Sequence, residues 1–247
     1  MPLLLLSRGR FRVWCGPVLA VSALVSGLGP LSAAAGQDTD ACEQTWHFGY
    51  LPQKSTVNAV FYLVNQGSKP MQVTKIEPGC SCTSVTELTE AIAPGDSAAV
   101  KITLKSGRYV NKVRKTTKVY TDGSDEPAFL LTIQTRVIKR GELAGSYQLS
   151  PPVLEFKTES GRPTGRSDTV LLTNKSDHAV SLRTVYYPEA CIKTVQLPEQ
   201  IQPGASGAVT IEIDENQQAE MKDGWSLTLA IESSDTTLVT IPIEIKD

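Results

Sequence analysis

The sequence predicts an all-β protein: two tandem immunoglobulin-like β-sandwich domains behind a cleaved signal peptide. Three observations carry that expectation. The N-terminus runs from positive charge through an apolar stretch to small residues, the chain repeats itself at a constant offset, and apolar side chains alternate with polar ones in short runs.

Arg8, Arg10 and Arg12 come first, and no acidic residue precedes Asp38. An apolar stretch over residues 13–31 follows, interrupted by Gly16, Pro17, Gly27 and Pro30, and Ala33-Ala34-Ala35-Gly36 closes it. That order describes a secretory signal peptide over residues 1–35, with cleavage after Ala35. A retained membrane anchor needs about 20 unbroken apolar residues, so no stable membrane span is expected in the mature chain. Cys15 lies ahead of the apolar core without a lipid-attachment lead-in. The expected location is periplasmic or secreted.

The signal segment carries three arginines and no acid, so its removal leaves 21 basic against 26 acidic residues and a net charge of −5. Such a balance speaks against a nucleic-acid partner. The mature chain keeps Cys42, Cys80, Cys82 and Cys191. In an oxidising compartment these allow three pairings, among which the sequence does not choose.

The repeat is exact in spacing. Asn65 aligns with Asn174, Cys82 with Cys191, Pro94-Gly95 with Pro203-Gly204 and Ile102 with Ile211, all at an offset of 109 residues and without a gap. A unit this long means two domains rather than a solenoid. Residues 42–140 make the first and residues 146–247 the second, divergent one. The segment Gly141-Glu142-Leu143-Ala144-Gly145-Ser146 separates them, and its shortness implies that they touch.

Within each unit the pattern has period 2. Ala98, Val100, Ile102 and Leu104 alternate with polar residues, as do Val239, Ile241, Ile243 and Ile245. One set is expected in a core and the other in water. Turn residues recur between the runs, at Asn65-Gln66-Gly67-Ser68, Pro78-Gly79, Pro94-Gly95-Asp96 and Asp122-Gly123-Ser124. Short strands with such punctuation read as β-sandwiches.

Four segments of the first unit, Trp46-His47-Phe48-Gly49, Phe61-Tyr62-Leu63-Val64-Asn65-Gln66-Gly67, Gly79-Cys80-Ser81-Cys82-Thr83 and Ile92-Ala93-Pro94-Gly95, resemble a bacterial exported family known as domain of unknown function 1573. The likeness spans residues 44–139. It implies an immunoglobulin-like fold of the hydin and major-sperm-protein type, in periplasmic or secreted proteins, and brings no known activity. The second unit departs from the pattern, since Glu189-Ala190-Cys191-Ile192 keeps a single cysteine.

Cys80-Ser81-Cys82 is the motif with chemistry in it. In an extended strand the two Cα atoms would lie about 6.6 Å apart, at the limit for a disulfide. Three readings stand: a structural pair, a labile redox pair, and a soft thiolate site for copper or zinc completed by Cys42 and His47. Two soft ligands fall short of a closed zinc site, so no metal is expected. His178 sits in a loop and reads as a surface residue. The basic run Lys105, Arg108, Lys112, Arg114, Lys115 and Lys118 suits either an anionic partner or the protection of a strand edge against self-pairing.

No nucleophile elbow, phosphate loop, zinc-protease motif or dinucleotide fingerprint occurs. No catalytic residue and no cofactor are therefore assigned. The expected function is that of an exported non-catalytic binding or scaffolding protein of the bacterial cell envelope, whose partner is another envelope protein or an envelope polymer. The alternative is a periplasmic metal (copper or zinc) or thiol-redox protein using Cys80 and Cys82.

Overall fold

Period-2 runs become strands because a pleated backbone sends successive side chains to opposite faces. In β5 (Ser97–Lys105), Val100, Ile102 and Leu104 are buried while Lys101 and Lys105 are exposed. Each such aliphatic side chain, once buried, contributes about 1.5–3 kcal/mol. The computed structural model describes residues 41–108, 110–159, 162–163, 167–214 and 224–246. The predicted signal peptide and its cleavage site lie outside these.

The first half of the chain holds β1 (Cys42–Pro52), β2 (Thr56–Val64), β3 (Val73–Glu77), β4 (Thr83–Val85), β5, β6 (Asn111–Thr121) and β7 (Phe129–Ile138). One layer has the order β1-β7-β6-β3 and the other β2-β5-β4. Between them lies a core that includes Phe48, Phe61, Leu63, Ile102, Leu131 and Ile133.

The second half holds β8 (Tyr147–Ser150), β9 (Leu154–Glu159), β10 (Arg162–Pro163), β11 (Ser167–Asn174), β12 (Ser181–Tyr186), β13 (Ile192–Gln196), β14 (Ser206–Ile213), β15 (Trp225–Glu232) and β16 (Thr237–Lys246). The order β13-β14-β11-β8 forms one layer, and β9, β16, β15 and β12 form the other. Its core includes Leu154, Phe156, Leu172, Ile211, Leu227 and Ile241. Two layers packed face to face over an apolar filling make each half a β-sandwich, and the all-β expectation is met.

The repeat is visible as matched hydrogen bonds. The Asn65 side-chain amide donates to the carbonyls of Lys69 and Ile92 at 2.8 and 2.7 Å. That of Asn174 donates to the carbonyls of His178 and Ile201 at 2.8 and 3.1 Å. Gly95 N–H donates to Asn65 O, and Gly204 N–H to Asn174 O, both at 2.8 Å. Every partner is displaced by the same 109 positions.

The halves are joined far more closely than contact across a linker. β1 runs parallel to β7 along its length and also pairs with β16, Tyr50 lying beside Val239. One nine-stranded sheet therefore crosses both halves. At the crossing the register slips between His47 and Gly49, and Gly49 takes a φ of +65°. A Cβ there would fall inside the backbone of Leu238, so only glycine lets the strands meet. Thr240 Oγ1 donates to Phe48 O at 2.6 Å and Asn58 N–H to Gly224 O at 2.9 Å. The ring of Trp46 meets that of Tyr186 edge-on at 4.7 Å. β15 is accordingly buried on both faces: Leu227, Leu229 and Ile231 enter the second core, while Ser226, Thr228 and Ala230 are buried on the other face of a strand that also meets β2 of the first half.

Candidate functional site

Pro78-Gly79 carries the chain off β3, across the rim of the first sandwich and into β4 of the opposite layer. A Cβ on Gly79 would fall on the Thr116 carbonyl of β6, so the backbone of the turn lies directly against that strand. Thr83 N–H donates to Cys80 O at 3.2 Å, Thr83 Oγ1 to the same oxygen at 3.0 Å, and Lys105 N–H to Cys82 O at 2.9 Å. These bonds hold a turn rather than the extended strand expected from the sequence. The correction shows in the Cα–Cα separation of Cys80 and Cys82, 5.2 Å, comfortably within disulfide range.

Cys80 and Cys82 are joined by a disulfide, both half-buried, with exposed Ser81 between them. Cys82 N–H donates to Cys80 Sγ at 3.2 Å, and Thr83 Oγ1 lies 3.9 Å from the same sulfur. A bond spanning one residue closes so small a loop that its entropic stabilisation is only about 1.6 kcal/mol, against about 4.7 kcal/mol for a 100-residue loop.

Cys42 and His47 do not complete a metal site with this pair. Both lie on β1, which β7 and β6 separate from β3, a gap of about 14 Å at ordinary strand spacing. Cys42 begins β1 against the first core, and His47 is exposed. Among the described residues no group of three or more His, Cys, Asp or Glu side chains could hold a metal ion. His178 is exposed, its Nδ1 2.8 Å from Asp177. Cys191, the counterpart of Cys82, is a buried thiol in the second core.

The basic run divides between strand and loop. Lys112, Arg114 and Lys118 are exposed on β6, Arg136 is exposed on β7, and Lys112 stands directly opposite Arg136. Like charges in that position repel. The Arg136 guanidinium lies 5.7 Å from the centre of the Tyr50 ring. β3 pairs only with Lys118 to Thr121 of β6. Among the described residues, β6 from Asn111 to Lys115 has β7 as its sole strand partner, while the Gly79 turn covers the edge at Thr116. The cations thus flank an open edge, and edge protection accounts for part of their presence. Beyond it, Glu77 is tied to Lys75 and accepts from Tyr120 Oη at 2.9 Å. The Lys75 hydrogen bond, followed by that of Tyr120, holds the Glu77 carboxyl below its ordinary range.

Sequence reasoning missed Tyr186. Burial, then the neighbouring Tyr62 and Cys191, push its phenol up to about 12. It forms the seam between the halves with Trp46, and its only sequence signal was the Tyr186-Tyr187 pair. A shallow hollow of about 300 Å³ lined by Arg140, Pro151, Pro152, Val153, Glu155 and Asp168 also lies near the junction. Arg140 is engaged there with Glu244 at 2.8 Å.

Geometry defines the class: an immunoglobulin-like all-β protein with an open cationic edge and a cysteine turn. Residues 40–137 match the model of a family described as a protein of unknown function, DUF1573, which confirms for the first half the resemblance read from its motifs. No curated protein matches the chain in sequence. Similar solved structures include a protein of unknown function from Porphyromonas gingivalis W83, 15% identical, covering 76% of this chain and 91% of that one with a TM-score of 0.29. The MSP-domain-like protein SSP-19 of Caenorhabditis elegans is 20% identical over 39% of this chain and 92% of that one, at 0.26. The CupB2 chaperone of Pseudomonas aeruginosa is 13% identical over 78% and 95%, at 0.27. Scores this low add nothing to what the sheets themselves show.

Proposed function

We propose that this is an exported, non-catalytic binding protein of the bacterial cell envelope that takes an acidic, extended segment of another envelope protein on the open edge of β6. The observation that carries the reading is the pairing of an unpartnered strand edge, Asn111 to Lys115, with the exposed cations Lys112 and Arg114 and with Arg136 across from Lys112. An added strand gains its affinity from backbone hydrogen bonds and its specificity from side chains. The same lysine and arginine repel a second copy of this edge and attract an acidic one, so they select the partner while blocking self-pairing. Export is supported by the charge, apolar and small-residue order of residues 1–35. Among the described residues no helix is long and apolar enough to cross a membrane.

The test is capture from envelope extract by the full-length mature chain, read by mass spectrometry, beside the variant Lys112→Glu/Arg114→Glu. Expected is a specific protein whose recovery falls at least about tenfold in the variant and declines as salt rises. Undiminished capture, accompanied by self-association of the variant, would reduce the cations to edge guards. Recovery of a glycan or other anionic polymer in place of a protein would replace the peptide reading.

A further inference from the structure

Three observations converge on the turn at Cys80. The disulfide does little for the fold, because it spans a single residue and the hydrogen bonds to Cys80 O and Cys82 O already fix the backbone on either side of it. The second sandwich is built at the aligned position with one buried cysteine, so the architecture does not need a pair there. The third observation is an asymmetry between the sulfurs. Cys80 Sγ receives the Cys82 N–H at 3.2 Å, the nearby Thr83 hydroxyl giving its proton to Cys80 O, and among the described residues no such donor meets Cys82 Sγ. A donor aimed at sulfur stabilises negative charge on it, and a stabilised thiolate is the better leaving group.

We infer that Cys80–Cys82 is a thiol–disulfide exchange site that accepts two electrons from a dithiol, with Cys82 as the attacked sulfur and Cys80 as the departing thiolate. One thiolate of the dithiol attacks Cys82 Sγ. The Cys80–Cys82 bond breaks, its electron pair passes to Cys80 Sγ, and a mixed disulfide forms on Cys82. The second thiolate of the same dithiol then attacks its own mixed-disulfide sulfur and expels Cys82 as a thiolate. The dithiol leaves as a disulfide, and Cys80 and Cys82 are left reduced, taking up two protons according to pH. Half-burial of both cysteines and the exposure of Ser81 leave the turn open to a reductant at the protein surface. This inference stands apart from the binding reading, since the exchange needs no partner strand on β6.

The experiment equilibrates the full-length mature chain with mixtures of reduced and oxidised dithiothreitol at neutral pH. Thiols are then alkylated, located by peptide mass mapping, and compared with the circular dichroism of the same samples. Expected is paired opening of Cys80 and Cys82 while the spectrum and thermal midpoint remain those of the folded protein. A pair that opens only as the spectrum is lost overturns the proposal. A second measurement compares the remaining thiols of Cys82→Ser and Cys80→Ser. At neutral pH Cys80 in the first variant should be alkylated at least about threefold faster than Cys82 in the second, the increase of its rate with pH setting in at a lower pH. Equal rates and equal pH profiles would remove the roles assigned to the two sulfurs.

Discussion

The two halves of the molecule keep the same asparagine corner and diverge almost everywhere a partner could reach. Asn65 and Asn174 each bridge two backbone carbonyls, and the displaced hydrogen bonds superpose residue for residue along the repeat. At the turn that follows β3 in the first half and β12 in the second, the first half has a half-buried disulfide and the second a buried thiol. The sheet faces differ in the same sense. In the second half the outward residues of β15 are Ser226, Thr228 and Ala230, all buried on a strand that meets β2 of the first half. In the first half the outward residues of β6 are Lys112, Arg114 and Lys118, all exposed. The comparison teaches that the second sandwich is committed to holding the first, and that the first is left with the surfaces on which chemistry and binding can occur.

The largest effect should come from breaking the seam. Gly49→Ala must place a side chain at a φ of +65° and inside the Leu238 backbone. The left-handed conformation and the overpacking together cost about 3 kcal/mol. Thermal unfolding should shift from one cooperative transition to a lower, divided one, the halves melting separately. A single transition at the wild-type temperature would show that the shared sheet does not couple them. Next come the asparagine corners. Asn65→Ala and Asn174→Ala each remove two side-chain hydrogen bonds, although Ile92 O keeps the Met71 N–H, Ile201 O the Val180 N–H and His178 O the Ser176 hydroxyl, at about 2 kcal/mol per variant. Denaturant titration should give the two variants equal losses. A clear inequality would mean that the matched geometry conceals a difference in how each core supports its corner.

Much of this was written in the sequence, and the missing part has a common cause. Alternation revealed β5 because one set of its side chains faces a core and the other water, whereas in β16 the expected water-facing set is buried too, at Thr240 and Pro242. The repeat was legible as letters, and Asn65 with Asn174 already marked its start. The junction was not legible, because Tyr50 and Val239 are far apart in the chain and a parallel pairing between them leaves no local pattern. β15 misleads for the same reason: Ser226 and Thr228 look like solvent positions, yet both are buried on a strand that meets β2 of the first half. The Cys80 turn was misjudged as extended although Pro78-Gly79 stood directly before it. The turn signal was in plain view, and the strand period was carried two residues too far. The open edge of β6 depends on how short β3 is, which composition does not disclose.

The smallest effect at neutral pH should come from Tyr186, and it becomes visible only in alkali. Burial between the halves, together with Tyr62 and Cys191, raises its phenol from the ordinary 10 to about 12. The unfolded chain releases that proton more readily than the folded one, so the contribution is fully present below pH 10 and is lost as pH rises towards 12. A gap of that size corresponds to at most about 2.7 kcal/mol, and partial exposure of the ring trims it to about 2 kcal/mol. Tyr186→Phe keeps the edge-on contact with Trp46 and removes the ionisable group. Its stability at pH 7 should match the wild type within about 0.5 kcal/mol, and above pH 10 it should become the more stable of the two. Parallel stability curves for wild type and variant from pH 7 to 12 would show that Tyr186 is not sealed by the first half, and would weaken the claim that the second sandwich exists to hold it.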